Sequence, residues 1–270
     1  MSVLPAFELH RPETIEEAVR LVSWDDLPYV GGTELLLAMK AGLLNPRSLI
    51  DLKGIPRLAS ISSTDGWLDI GAIVTHQEAA TSDTVSSSIP ELPPVLEHVG
   101  NPRVRWSGTL AGNLCFAEPK SDVIPFLIAL DAEVSLASTE GTRRLPVRDF
   151  ILGPYYTART ENELLTLIHI PENADRVGTY LKYQVMERPT VGVAAVRHTS
   201  ESASRTRVVV GAAGELPVVH EMEGEVDKQA FVEALSELLE PIPDVTGSPD
   251  YKRHVTGVFV RRALDALETM

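Results

Sequence analysis

The chain has 270 residues, 44% of them apolar, and carries 24 Lys and Arg against 38 Asp and Glu for a net charge of −14. That length accommodates one large domain or two modest ones around a packed core. The acidic balance excludes a sequence-independent nucleic-acid binder, which needs surplus Lys and Arg to neutralise phosphates.

In chain order, residues 7–9 predict a short strand. Thr14, with Glu17 three positions on, has capping-box spacing and opens a helix whose apolar face is Ala18, Leu21 and Val22. Residues 27–30 predict a second strand running into Gly31-Gly32-Thr33. Leu35, Leu36, Met39 and Leu43 then follow at helical spacing, and residues 49–52 predict a third strand, giving a βαβαβ opening. Apolar runs at 58–61 and 67–70 flank Asp65-Gly66, a hairpin signal. Residues 75–80, 90–99 and 122–130 read as helices. Residues 133–137 and 143–147 form a second hairpin around Glu140-Gly141, and 164–170 a strand ended by Pro171. Beyond it, residues 182–186, 191–196 and 208–211 predict three strands, and 227–239 and 255–267 two amphipathic helices. Residues 172–178 and 241–249 are the linker candidates. No internal repeat is present.

The chemistry concentrates in two glycine-bearing segments, residues 29–42 and 108–113. Glycine lets backbone approach a ligand without a Cβ in the way. The N–H groups at the start of a following helix favour an anion, and the second segment adds the Asn113 amide. Two such segments can grip a diphosphate from both sides. In so acidic a chain, backbone N–H groups rather than a basic patch must do it. The plain alternative is that each is an ordinary tight turn. The seven histidines are scattered without an HExxH pattern, so no metal site is expected. His76 reads first as a surface or capping histidine and second as a functional one. Cys115 reads as a small half-buried hydrophobe. As the single cysteine, it also excludes internal disulfides and any iron–sulfur cluster ligated by this chain alone. The Gly-x-Gly-x-x-Gly pattern is absent, so a Rossmann-type site is not expected. The start MSVLPAFELH has no signal-peptide character and no stretch reaches 18 uncharged apolar residues. A soluble cytoplasmic protein without membrane insertion is expected.

The ordered segments VGGTEL, LIDLKGIPRLASI, GAIVTH, VGNPRVRWSGTLAGNLCFAEPKSD, LDAEVSLAS and ENELLTLIHIP together resemble the FAD-binding subunit of molybdenum hydroxylases. That family includes the medium subunit of carbon monoxide dehydrogenase and the FAD domain of xanthine dehydrogenase and aldehyde oxidase. YLKYQVMERPTVGVAAV and SPDYKRHVTGVFVRRAL resemble its closing domain. The resemblance implies an α+β fold of the vanillyl-alcohol oxidase type. Its FAD-binding domain would span residues 1–175, with subdomains near 1–55 and 56–175. A C-terminal flavoprotein domain, 176–270, would be built on a three-stranded antiparallel sheet.

By motif match, Val30, Gly31, Gly32, Thr33, Glu34 and Leu35, with Thr109, Ala111, Gly112 and Asn113, would hold the FAD diphosphate. Asp122 matches the family's acidic contact to the cofactor, Leu165 would pack near the isoalloxazine, and Lys182 would meet the ring's polar edge. Two positions depart from the pattern. Val99 stands where the family often has a larger apolar residue, and TLAGN replaces TIGGN or SVGGN, so Ala111 adds a methyl group. The resemblance implies an electron-transfer subunit. Electrons would come from the [2Fe–2S] clusters of a small subunit, fed by a molybdopterin-binding large subunit, in an (αβγ)2 assembly. They would leave to NAD, oxygen or a quinone-type carrier. Two other readings stand beside it: a stand-alone flavin-dependent oxidase or reductase, and a cofactor-free structural subunit, against which the retention of both glycine segments argues.

Overall fold

The computed structural model describes residues 4–199 and 204–270. The opening is β1 (Glu8–His10), α1 (Ile15–Leu21), β2 (Asp26–Tyr29), α2 (Leu35–Lys40) and β3 (Ser48–Asp51). The strands pair in parallel in the order β1-β3-β2, as a βαβαβ unit requires. Thr14 caps α1 by accepting the Glu17 N–H at 3.1 Å. The Glu17 carboxylate returns to the Glu13 N–H at 2.9 Å rather than to Thr14. Between the strands, the buried Asp26 carboxylate accepts from Arg47 Nε (3.0 Å), Ser48 Oγ (2.7 Å) and Ser23 Oγ (2.8 Å). With Arg47 as the largest influence, those donors hold it well below the usual carboxylate range.

The middle of the chain alternates sheet and helix. β4 (Ile61–Thr64) and β5 (Trp67–Gly71) form the expected hairpin; Asp65 (φ 54°) and Gly66 (φ 79°) both take the left-handed conformation a tight two-residue turn needs. Six short helices follow: α3 (His76–Ala80), α4 (Asp83–Ser88), α5 (Leu92–Leu96), α6 (Pro102–Ser107), α7 (Leu110–Phe116) and α8 (Val123–Ala129). Then come β6 (Glu133–Ser138), β7 (Gly141–Pro146), α9 (Val147–Phe150), the small pair β8 (Ile151–Gly153) and β9 (Tyr156–Thr157), and β10 (Leu164–Pro171). The antiparallel sheet has the order β4-β5-β10-β6-β7, and its inner face (Leu68, Ile70, Val134, Leu136, Ile168, Ile170) joins the helices in one apolar core.

The C-terminal part departs from the three strands expected. Four strands form an antiparallel meander: β11 (Arg176–Gln184), β12 (Pro189–Thr199), β13 (Ser204–Gly211) and β14 (Val218–Glu223). β11 begins inside the stretch read as a linker and ends before Val185. α10 (Lys228–Leu238) and α11 (Pro249–Glu268) cover one face through Val191, Val193, Ala195, Val208 and Val210. α11 starts six residues earlier than its apolar spacing indicated, because the Ser248 hydroxyl accepts the Tyr251 N–H and Pro249 occupies the first helical position. The other face (Ala194, Val196, Val209) packs into the main core. β12 is therefore buried on both sides, which accounts for its unbroken apolar run. Arg207 fastens β13 to α8 by donating to the Ile128 and Ala129 carbonyls at 3.3 and 3.4 Å. Those are among the last carbonyls of α8, where a cation is favoured. Among the described residues, no helix is long and apolar enough to cross a membrane.

Candidate cofactor site

The two glycine-bearing segments meet. A Cβ built on Gly31 would lie 1.8 Å from the Ser107 carbonyl oxygen and 2.9 Å from the Gly108 nitrogen. Only a residue without a side chain permits that approach. On the other side, a Cβ on Gly108 would stand 3.2 Å from Thr33 Oγ1 and 3.4 Å from the His76 ring. Gly32 takes φ +66°, and its Cβ would point at Tyr29 and Leu36 rather than into the space between the segments. Gly31 is thus the residue that lets the two segments touch, and Gly32 supplies the turn. The N–H groups of Thr33, Glu34 and Leu35 lie ahead of the first helical bond of α2, Leu36 N–H to the Gly32 carbonyl at 3.0 Å.

The second segment is mostly the first turn of a helix rather than a loop. Thr109 caps α7, accepting the Gly112 N–H at 2.9 Å, and the Asn113 N–H returns to its carbonyl at 3.0 Å. Cap and Gly-bearing turn satisfy each other, so the sequence takes helical geometry at once. The methyl of Ala111 is buried in the apolar core, which absorbs the departure from the family's second glycine. Gly112 is exposed, and so is Cys115, which corrects its half-buried reading.

Asn113 is oriented by a residue that sequence reading missed. Ser121 Oγ accepts the Val123 and Ile124 N–H groups at 3.1 and 3.2 Å, so its two lone pairs are occupied. Its one hydrogen goes to Asn113 Oδ1 at 2.6 Å. The Asn113 NH2 therefore faces away from Ser121 as a donor. A serine just ahead of an apolar helix was the available signal.

Asp122 and Lys182 come together as an ion pair. Lys182 Nζ donates to Asp122 Oδ2 at 3.0 Å and to the His98 carbonyl at 2.9 Å, while Tyr180 OH donates to Asp122 Oδ1 at 2.8 Å. Burial beside that carboxylate raises the Tyr180 phenol well above its ordinary range. Tyr180 and Lys182 share a strand face by the two-residue period, a pairing the sequence showed only in part. Leu165 is buried in β10, Val99 is buried at 7% exposure, and Val30 packs partly buried at the core's edge.

His76 packs against the second segment. Its N–H donates to the Gly108 carbonyl at 2.9 Å within the Thr75–Thr109 bridge. The side chain is 2% exposed, and its Nδ1 is buried without a partner. Burial, helped by Arg105, pushes its pKa down to about 4, so the ring is neutral near pH 7. Glu34 is drawn the other way, to Arg188 Nη2 at 2.9 Å.

The arrangement brings features that suit an anionic ligand into one region. The two glycine segments pack directly on each other, each leads into a helix start, and Ser121 aims the Asn113 amide as a donor. Among the described residues, no three His, Cys, Asp or Glu side chains stand close enough to hold a metal.

Comparison with known proteins gives the same answer. Residues 5–173 match the family described as the FAD binding domain in molybdopterin dehydrogenase. The chain is 31% identical to the carbon monoxide dehydrogenase medium chain of Hydrogenophaga pseudoflava, over 97% of each chain. It is 29% identical to the nicotine 6-hydroxylase medium subunit of Paenarthrobacter nicotinovorans, again over 97% of each. The solved quinoline 2-oxidoreductase from Pseudomonas putida 86 superposes with a TM-score of 0.90 at 28% identity, covering 97% of this chain and 96% of that one. With both glycine segments and the fold in place, the chain belongs to the FAD-binding medium subunits of molybdenum hydroxylases and is an oxidoreductase subunit.

Proposed function

We propose that FAD lies between the two glycine-bearing segments and that the chain passes electrons within a larger molybdenum hydroxylase complex. The observation that carries this reading is the close approach of Gly31 to Ser107 and Gly108, which brings the two segments and the helices they open together. The diphosphate would be held by the N–H groups of Gly31, Gly32, Thr33, Glu34 and Leu35 and by the turn Thr109, Ala111, Gly112 and Asn113. The Asn113 NH2 is a directed donor. Val30 and Leu165 offer apolar contact. Asp122 and Lys182 offer polar groups where β11 meets the start of α8. Bound FAD supplies one- and two-electron redox chemistry, and this chain's part is to bind it, orient it and exclude water from one side.

The complex would contain a molybdopterin-binding large subunit, where substrate is hydroxylated, and a small subunit with [2Fe–2S] clusters. The names of the relatives, medium chain and medium subunit, support such partners. We extend this to a cytoplasmic (αβγ)2 assembly that delivers electrons to NAD, oxygen or a quinone-type carrier. The domain division at about residue 175 is part of the same reading, supported by the family match ending at residue 173.

The purified protein is expected to show a flavin absorption spectrum that bleaches with substrate only when partner chains are present. Loss of a hydrogen bond to a charged group is worth about 1.5–3 kcal/mol. Asn113→Ala is therefore expected to weaken FAD binding roughly tenfold or more, while Cys115→Ser leaves it nearly unchanged. Titration of apoprotein with FAD measures both. A colourless protein that takes up no FAD, or bleaching by substrate without partners, contradicts the proposal.

A further inference from the structure

The turn between β11 and β12, residues 185–188, projects from the C-terminal sheet with Val185 and Met186 more than half exposed. Among the described residues, Arg188 is the one side chain of this turn that forms an ion pair. It forms two, in different directions. Nη2 lies 2.9 and 3.1 Å from the Glu34 carboxylate oxygens, in the first glycine segment at the start of α2. Nη1 lies 3.0 Å from Glu118 Oε2, two residues beyond the end of α7, the helix opened by the second segment.

Glu118 is itself fixed. Tyr155 OH donates to Glu118 Oε2 at 2.9 Å, and the Tyr155 N–H donates to the Ala117 carbonyl at 2.9 Å. Burial and the adjacent carboxylate push the Tyr155 phenol up to about 12, so it remains a donor at any ordinary pH. A planar guanidinium can engage two carboxylates on separate edges at once, which a lysine ammonium cannot reproduce in geometry. One side chain thus ties the C-terminal turn both to the first glycine segment and to the chain just beyond α7.

We propose that Arg188 is a latch: by pairing with Glu34 and Glu118 together, it fastens the β11–β12 turn across the cofactor gap and slows the departure of bound FAD. The inference rests on FAD lying between the glycine segments. It assigns Arg188 a role in retention, separate from the groups that touch the cofactor. An open latch leaves the diphosphate contacts intact but removes the connection that keeps the two halves of the site closed. Each pair is partly exposed, so each contributes modestly and is weakened by salt.

The test is the FAD release rate of the flavin-loaded protein, together with any partner chains that co-purify, after dilution into excess flavin-binding trap. Wild-type release is expected to accelerate with salt, and Arg188→Ala is expected to release FAD about fivefold faster and to lose that acceleration. Arg188→Lys is expected to fall between the two. Glu118→Gln separates a latch from simple charge attraction. It removes a negative charge near an anionic cofactor, so attraction alone predicts slower release, whereas a latch predicts faster release. In the double variant Arg188→Ala with Glu118→Gln, release should be no faster than in Arg188→Ala. Slower release in Glu118→Gln, or rates within about twofold of wild type in all variants, overturns the latch while leaving the FAD site standing. Wild-type protein that is folded and binds no FAD overturns both.

Discussion

His76 donates its backbone N–H to the Gly108 carbonyl while its ring is enclosed with Nδ1 unpartnered. Protonating that ring inside the fold means placing a charge where water cannot reach it and near Arg105, which is why its pKa falls to about 4. The unfolded chain takes up this proton at its ordinary pKa of about 6.5. Between those values the unfolded state binds more protons than the folded one. The histidine's contribution to stability is therefore complete above about pH 6.5 and is lost as pH falls towards 4. A gap of that size corresponds to at most about 3 kcal/mol. The urea midpoint of the protein is expected to drop over this window, and the drop is expected to be shallower in His76→Gln. His198, whose pKa is also lowered by burial and by nearby Arg176 and Arg205, leaves a residual slope. Equal slopes for wild type and His76→Gln would show that His76 titrates normally. Sequence alone gave His76 as a capping or surface residue. The bridge beside it, between the helix caps Thr75 and Thr109, pairs residues 34 positions apart, and no local pattern encodes such a pairing.

At the scale of elements, the legible features were those specified locally. The βαβαβ opening, the two hairpins and α8 follow from periodicity and turn residues, and they are where the sequence put them. A helical turn at 109–113 was not among the expected elements: Gly112 argues against helix by propensity, and the Thr109 cap overrides it. β14 was missed because His220 and Glu221 interrupt Val218-Val219-His220-Glu221-Met222 and no clean alternation marks it. Its place is set by pairing with β13 from Arg205 to Val210. The contact between the glycine segments was legible as two separate motifs but not as one object, because it depends on a tertiary approach. That approach gives a sharp prediction. In Gly31→Ala the new methyl would overlap the Ser107 carbonyl, so backbone must shift. Overpacking of this kind costs about 1–3 kcal/mol, and here it also widens the gap that would hold FAD. Gly42→Ala is the control: φ is +74° with nothing within 4 Å of the added Cβ. It should cost only the left-handed conformational penalty of about 1 kcal/mol and leave flavin binding alone. Urea unfolding and flavin titration of the two variants decide the matter, and normal FAD affinity in Gly31→Ala would remove the segment contact from the site.

At the scale of the whole molecule, the chain is organised to hold one redox group and to depend on others. Asp122, Tyr180 and Lys182 tie the C-terminal strand β11 to the start of α8, Arg207 ties β13 to its end, and Lys120 and Lys252 both pair with Asp244. These connections fasten the C-terminal sheet to both ends of α8 and to the chain before it. A flavin subunit must receive electrons. With Cys115 as its single cysteine, this chain cannot itself ligate an iron–sulfur cluster. In the proposed electron-transfer role the donor sits on another chain, and the distance from that donor to the flavin has to be fixed for steady transfer. A stable interface is the physical way to fix it, larger than the small contacts of transient encounters. The protein isolated from its native source is accordingly expected to co-purify with two further chains, at constant stoichiometry through size exclusion. The complex should contain molybdenum, and iron in several-fold excess over flavin because each [2Fe–2S] cluster brings two iron atoms. Quantitative metal analysis alongside the flavin spectrum checks this. A lone flavoprotein without iron or molybdenum that turns over an organic substrate unaided would place the chain outside the electron-transfer role argued for it.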